Sequence, residues 1–208
     1  MSAVQDQILA RIRECGRGRI FITKDFLDLG SRDAADQALS RLAKAGDIAR
    51  LGRGLYHFPR SGERTPGASR LDQDEIAEAL GRQTGSRVVP SGAIAANRLG
   101  LSREGAAELV YLTDGRTRQV KIGGSVFQLR HASPKALPAA SRTSAMVFQA
   151  LRFLGKDSVD ERMIEKIRKN LTAGEQAELL RESTYATDWI SAVARQIAKA
   201  EAGVLVHA

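Results

Sequence analysis

The first sixty residues of the 208-residue chain place side chains that can hydrogen-bond to a nucleic acid in an informative pattern. Arginine pairs bidentately with guanine, glutamine with adenine, and aspartate accepts from cytosine, whereas phosphates are met mainly by Arg and Lys. Candidate base contacts are therefore Ser31, Arg32, Asp33, Asp36 and Gln37, and candidate phosphate contacts are Arg17, Arg19, Lys24, Arg41 and Lys44. Arg53 stands between two glycines and is a candidate for either a phosphate or the minor groove.

The pattern around these residues predicts the elements that carry them. Apolar residues at helical spacing indicate a first helix, and a short apolar run indicates a strand. Thr23 is a candidate N-cap for a brief second helix, and Ser31 for a third helix that Gly46 ends. Two β-rich runs joined by a Gly-Arg-Gly tip predict a hairpin. The predicted order is a first helix with the stripe Val4, Ile8, Leu9 and Ile12 that Gly16 and Gly18 stop, strand Ile20–Ile22, helix Lys24–Leu29, a helix after Ser31 that ends at Gly46, and strands Ile48–Leu51 and Leu55–Phe58.

This order predicts a winged helix-turn-helix DNA-binding domain over residues 1–58. The second helix of a helix-turn-helix unit lies in the major groove, with its N-terminal residues at the base edges. The alternative interpretation is a solvated charged face on a small domain that contacts another protein, because a fold does not by itself fix a function.

Composition agrees with a nucleic-acid partner. Lys and Arg exceed Asp and Glu by 8, and the sequence pI is about 10.1. The sequence has no apolar run of the roughly 18 residues that span a membrane and no signal-peptide pattern at its N-terminus. A single cysteine, Cys15, suits a reducing compartment. We therefore expect a cytoplasmic protein with no membrane partner.

Residues 59–70, PRSGERTPGASR, have the composition of a linker. They divide the predicted DNA-binding domain from a second domain over residues 71–203. That domain has a mixed part with a small antiparallel sheet (71–137), including an expected meander of three strands, and a helical part (141–200). Capping-box patterns at Ser158 with Glu161 and at Thr172 with Glu175 mark two helix starts. The predicted fold class is α+β.

The sequence gives little support to an enzyme. It has no phosphate-binding loop, no His-Glu-x-x-His and no paired cysteines, so we predict no catalytic residue, cofactor or metal. The three histidines, His57, His131 and His207, are scattered, and Ser91 is better explained as a helix cap than as a nucleophile. An enzyme that inactivates its partner by covalent modification, for example phosphotransfer, stays an alternative.

The chain resembles the AbiEi antitoxin family, the antitoxin half of bacterial toxin–antitoxin pairs whose toxin is nucleotidyltransferase-like. The resemblance extends from about Ile8 to the final helix. The matching stretches are GRGRIFITKDFLDLGSRDAADQALSRLAKAGDIARLGRGLYHFP, VVPSGAIAANRLGL, YLTDGRTRQVKIGG, HASPKAL and FQALRFLGKD.

The resemblance implies two activities. The winged-helix domain would bind repeats in the promoter of its own operon and repress transcription, as a transcriptional regulator. The C-terminal domain would counteract the cognate toxin, directly or indirectly. As a possible antitoxin surface we nominate a basic set in the second domain, for which solvated strand ends are the alternative explanation. This set is Arg116, Arg118, Lys121, Arg130 and His131.

Overall fold

Helices and two small sheets make up the computed structural model, which describes residues 3–60, 71–102, 108–134, 136–137 and 140–198. The fold is α+β, as predicted. In these ranges the helices are α1 (Ala3–Cys15), α2 (Arg32–Ala45), α3 (Gln73–Thr84), α4 (Gly92–Arg98), α5 (Arg142–Leu154), α6 (Glu161–Asn170), α7 (Ala173–Glu182) and α8 (Asp188–Ala198). The strands are β1 (Ile20–Ile22), β2 (Ala49–Gly52), β3 (Leu55–His57), β4 (Val88–Pro90), β5 (Leu109–Thr113), β6 (Arg118–Ile122) and β7 (Ser125–His131).

The N-terminal elements pack around a three-stranded antiparallel sheet with the order β1-β3-β2. Ile20 pairs with His57 and Ile22 with Leu55, while β2 pairs with β3 through a register shift between Arg50 and Gly52. Helices α1 and α2 bury one face each beneath this sheet. The shared core includes Ile8, Ile12, Phe26, Leu39, Leu42, Tyr56 and Phe58.

Helix α2 begins and ends where the sequence predicts. Ser31 is its N-cap, and the Ser31 hydroxyl accepts a hydrogen bond from the Ala34 amide at 3.3 Å. The helix ends at Gly46, whose φ of 82° is the left-handed conformation that glycine adopts without steric cost. These two caps fix the length of α2, and its buried residues Ala35, Ala38, Leu39 and Leu42 fix which face is turned to the core.

The predicted second helix is wrong in type, and Thr23 is not its cap. Residues Thr23–Phe26 form a single 3₁₀ turn after Ile22. The Asp25 carboxylate accepts from the Ile22 amide at 2.9 Å and so occupies the start of this turn. The Thr23 hydroxyl instead donates to Asp36 of α2 at 2.7 Å.

The second sheet has four strands in the order β4-β5-β7-β6, which corrects the expected meander of β5, β6 and β7. Strand β7 has seven residues and buries Phe127 and Leu129, whereas β6 buries only Ile122. Strand β7, which is longer and more apolar than β6, takes the inner position. An inner strand has a neighbour on each edge and is therefore better covered than an edge strand. Strands β6 and β7 form a regular antiparallel hairpin with Arg118 opposite Leu129 and Ile122 opposite Ser125.

The C-terminal helices share a second core, which includes Val147, Phe148, Leu151, Ile167, Leu179, Ile190 and Ile197. The capping box of Thr172 and Glu175 is confirmed at the start of α7. The Ser158 capping box is wrong, since Asp160 caps α6 by accepting from the Met163 amide at 2.8 Å. The sequence predicts a final helix over Thr187–Ala200, and its last two residues, like the tail with His207, lie outside the described residues.

Contacts divide the chain into two compact units. Unit 1 comprises residues 1–88 and 115–129, and unit 2 comprises residues 89–114 and 130–208. This division differs from the predicted one, because α3 and the β6–β7 hairpin group with the N-terminal elements. Most of the predicted linker, residues 61–70, lies outside the described residues. Within the described ranges, no helix is both long and apolar enough to cross a membrane.

Candidate nucleic-acid interface

A groove of about 430 Å³ lies in unit 1 between the N-terminal half of α2 and the tip of the β2–β3 hairpin. We call it the basic groove, because four exposed cations line it and Asp36 is the acidic residue in its wall. The four cations are Lys24, Arg32, Arg50 and Arg53. The remaining lining residues are Ile22, Thr23, Ser40, Gly54, Tyr56 and Gln83.

Helical periodicity brings the α2 side of the groove together. Arg32, Asp36 and Ser40 are four residues apart, so they share one face of α2. The adjoining face, with Ala35, Ala38, Leu39 and Leu42, is buried against the core. The 3₁₀ turn adds Lys24, and the hairpin adds Arg50 and Arg53. Three separate elements of unit 1 therefore converge on one open cleft.

Asp36 holds the 3₁₀ turn against α2. One of its carboxylate oxygens accepts from the Thr23 hydroxyl at 2.7 Å, and the other lies 3.9 Å from the Arg32 Nε atom. The Arg32 side chain is 67% exposed, so this ion pair is weak and leaves the guanidinium accessible. The sequence predicts Asp36 as a base contact, whereas in the structure its carboxylate contacts Thr23 and Arg32.

A second stripe of α2 faces solvent beside the groove. Gln37, Arg41 and Lys44 follow one another at spacings of four and three residues and are all exposed. Asp33 is exposed in the first turn, and Ser31 is engaged as the N-cap. The predicted contact residues of α2 thus form two adjacent stripes, one lining the groove and one outside it.

Arg17 and Arg19 do not line the basic groove. They line a separate cavity of about 200 Å³. The Arg17 guanidinium lies 4.7 Å from the centre of the Phe58 ring and donates to the Pro59 carbonyl at 2.9 Å. The Arg19 Nε atom lies 3.5 Å from the Glu75 carboxylate. Both residues, although exposed, contact the body of unit 1.

Arg50 is the groove cation that the sequence interpretation missed. It stands opposite Tyr56 across the β2–β3 pair, and its Nε donates to the Gly52 carbonyl at 3.3 Å. Burial raises the pKa of the Tyr56 hydroxyl, and the Asp36 charge adds to this effect while the Arg50 charge opposes it. Tyr56 is therefore a neutral hydroxyl in the groove wall. One signal in the sequence could have identified Arg50 as a groove residue, namely that it is a charged residue in the same predicted hairpin as Arg53.

The nominated antitoxin residues are not equivalent in the structure. Arg118 is half-buried and donates to the Leu80 carbonyl at 2.5 Å, and burial lowers the pKa of its guanidinium. Lys121 is exposed on the opposite face of the β6–β7 hairpin, since it is three residues away on a strand. Arg116 is also exposed. Arg118 therefore anchors β6 to α3 within unit 1, and only Arg116 and Lys121 are open to a partner there.

The two other nominated residues belong to unit 2. Arg130 pairs with Glu108 at 3.6 Å, and both of these side chains are largely exposed. His131 is exposed at the end of β7. His57 is buried in β3. Among the residues that the structure describes, no group of three His, Cys, Asp or Glu side chains could hold a metal ion.

Comparison with known proteins gives a family but no activity. A search of curated proteins found no match. Among solved structures, the crystal structure of the RV2827C protein from Mycobacterium tuberculosis is 14% identical, with a TM-score of 0.43 over 95% of this chain and 77% of that chain. This similarity is too low to support an argument. Residues 7–179 match the family of unknown function DUF6088, and the chain belongs to that family.

Proposed function

We propose that unit 1 is a winged helix-turn-helix that binds double-stranded DNA and that the protein is the autorepressing antitoxin of a bacterial toxin–antitoxin pair. The observation that carries the proposal is the basic groove, where Lys24, Arg32, Arg50 and Arg53 surround an open cleft beside the N-terminus of α2. A cleft lined by charge of one sign concentrates ions of the other sign.

The order of elements supports the DNA-binding part. Helix α1, strand β1, the 3₁₀ turn, helix α2 and the β2–β3 hairpin follow one another as they do in a winged helix-turn-helix. In this assignment α2 is the recognition helix and the hairpin is the wing. Gln37 and Arg32 contact base edges, while Lys24, Arg41, Lys44, Arg50 and Arg53 contact phosphates.

The antitoxin part rests on the resemblance to the AbiEi family. In this proposal the chain represses its own promoter at repeated sites and also counteracts a nucleotidyltransferase-like toxin. Arg116 and Lys121 are the nominated residues that unit 1 leaves exposed for a partner. Unit 2, with its own helical core, is the other part of the chain available for this task.

Binding of the purified chain to labelled DNA from upstream of its own gene tests the DNA-binding part. We expect the affinity to fall steeply as the salt concentration rises, because each phosphate contact releases counterions. Arg32→Glu should lose preference for this DNA over an unrelated duplex by about 1–3 kcal/mol if Arg32 pairs with a base. No binding at low salt would overturn the proposal.

Co-expression tests the antitoxin part. Cells that express the product of the adjacent gene, if that gene encodes a nucleotidyltransferase-like protein, should stop growing and recover when this chain is induced. Incubation of the two purified proteins with labelled nucleotide separates binding from modification. Label transferred to the toxin by this chain would favour the enzyme alternative.

A further inference from the structure

Helix α3 covers an open edge of the N-terminal sheet. Strand β1 is an edge strand among the residues that the structure describes, and no other described strand lies beside the backbone groups of Ile20 that point away from β3. Side chains of α3 bond both of them. The Ile20 amide donates to Glu75 at 3.1 Å, and the Ile20 carbonyl accepts from Arg82 at 3.2 Å.

The same helix reaches the tip of the β2–β3 hairpin. The Gln83 side-chain amide donates to the Arg53 carbonyl at 2.9 Å and to the Gly54 carbonyl at 3.1 Å. Gln83 thus fixes two consecutive peptide groups of the tip. Gly54 has a φ of 64°, and Gln83 lies close enough that a Cβ at Gly54 would be 3.6 Å from its amide nitrogen.

These three side chains lie on one side of α3. Glu75, Arg82 and Gln83 are separated by seven and then one residue, which places them within one helical face. Arg82 also lies 3.4 Å from the Asp25 carboxylate at the start of the 3₁₀ turn. Helix α3 therefore holds β1, the turn and the hairpin tip at fixed positions within unit 1.

We propose that Gln83 is a positioning residue for DNA binding, which holds the backbone of the hairpin tip so that the Arg53 side chain stands at the basic groove. This proposal rests on the proposed DNA-binding function. The Arg53 side chain is exposed in the groove wall, whereas its backbone carbonyl is bonded to Gln83. Gln83 therefore acts on DNA through Arg53.

The physical effect is preorganisation. A hairpin tip that is ordered before binding loses less conformational freedom on contact with a phosphate than a free tip does. Re-ordering a freed tip on binding costs about as much as immobilising one side chain, which corresponds to a change of roughly three- to tenfold in affinity. If Arg53 is replaced by alanine, Gln83 has no side chain to position and should no longer contribute to the affinity for DNA.

A double-mutant cycle on the full chain tests this. We expect Gln83→Leu and Gln83→Met, which remove the donors, each to weaken binding of the upstream DNA by roughly three- to tenfold. In an Arg53→Ala background the same substitutions should change the affinity less than twofold. Gln73→Leu, at the first position of α3, is the matched control and should leave the affinity unchanged.

The cycle separates the two proposals. If wild-type chain binds the DNA and the Gln83 substitutions either have no effect or cost the same without Arg53, Gln83 is not a positioning residue. If the wild-type chain does not bind, the DNA-binding function itself fails. Circular dichroism and thermal unfolding of each variant identify loss of fold. Gln83→Met keeps the length of the side chain, so it serves as the assay variant if Gln83→Leu unfolds.

Discussion

At the scale of single residues, Arg50 gives the sharpest test of the basic groove. Its guanidinium is held by the Gly52 carbonyl at the groove wall and is exposed. We expect Arg50→Ala to weaken binding of specific and unrelated DNA about equally and to reduce the salt slope by about 1, as the loss of one phosphate contact requires. Fluorescence anisotropy at several salt concentrations measures both quantities.

Arg162→Ala is the matched control for Arg50→Ala, because it removes an exposed arginine of unit 2 and changes the net charge equally. Binding should be unaffected by this control. If the two substitutions have the same effect, then total charge, and not the groove, governs the affinity.

Glu182 is a residue whose ionisation should be visible in stability. Its carboxylate accepts from the Ser141 amide at 2.9 Å and from the Ser141 hydroxyl at 3.0 Å, at the N-cap of α5. Burial alone would raise the pKa of Glu182, but hydrogen bonds from Ser144 and Ser141 lower it below the ordinary 4.5. The carboxylate therefore stabilises the folded chain above that pH, and this contribution is lost as the pH falls through the lower folded pKa.

We expect Glu182→Gln to reduce the free energy of unfolding by about 1–2 kcal/mol at neutral pH, since the bonds to Ser141 lose their charged acceptor. The difference between wild type and variant should shrink below about pH 4.5. Urea unfolding at a series of pH values measures it, with Glu178→Gln on the same helix as control. A difference that is independent of pH would contradict this role.

Residue types alone predicted part of the candidate site. Lys24, Arg32 and Arg53 were nominated from the sequence and do line one groove. The contact of Arg17 with Phe58 and the bond of Arg118 to Leu80 depend on long-range packing, which spacing does not reveal. Arg50 was missed because an alternating strand pattern shows which side chains are exposed but not what they face.

At the scale of elements, α3 should matter to the stability of the N-terminal sheet. We expect Glu75→Leu to reduce the free energy of unfolding by about 1–3 kcal/mol, because the Ile20 amide at the sheet edge loses its acceptor. Glu75→Gln keeps an acceptor oxygen and should cost clearly less. Chemical denaturation measures both variants, and hydrogen exchange of the Ile20 amide reports the edge directly.

Equal destabilisation by Glu75→Leu and Glu75→Gln would show that the charge, through its ion pair with Arg19, matters more than the hydrogen bond. Unchanged exchange at Ile20 in the leucine variant would show that α3 does not protect this edge. The second result would weaken the structural basis for grouping α3 with the first sixty residues, whereas the first would assign that contact to the ion pair of Glu75 and Arg19.

Local signals predicted the elements better than their pairing. Ser31, Gly46 and Thr172 mark helix ends in the structure, because caps depend on residues within one turn. The position of β7 between β5 and β6 depends on which strand buries more apolar surface, and adjacency in sequence suggested the other order. The contacts of α3 with β1 and the hairpin join residues 29 to 62 positions apart, beyond the reach of any local pattern.

At the scale of the whole molecule, positive charge is unevenly divided. Most of the formal net charge of +8 belongs to unit 1, while unit 2 has nearly balanced charges and a helical core of its own. Long-range attraction to an anionic polymer should therefore be a property of unit 1. The charge of unit 1 includes Arg116 and Lys121, so the two proposed activities are separated by substitutions at individual residues of this unit.

A variant of the full chain with Lys24→Ala, Arg50→Ala and Arg53→Ala should lose repression but keep its ability to rescue cells from the toxin. All three side chains are exposed, so their removal should leave both cores intact. A reporter under the upstream promoter and a growth assay with the toxin measure the two activities in the same cells. The reciprocal variant, Arg116→Ala with Lys121→Ala, should retain repression and weaken rescue. Loss of rescue in the triple variant at unchanged protein level would mean that toxin neutralisation also uses the basic groove, and the two activities would then compete for one site.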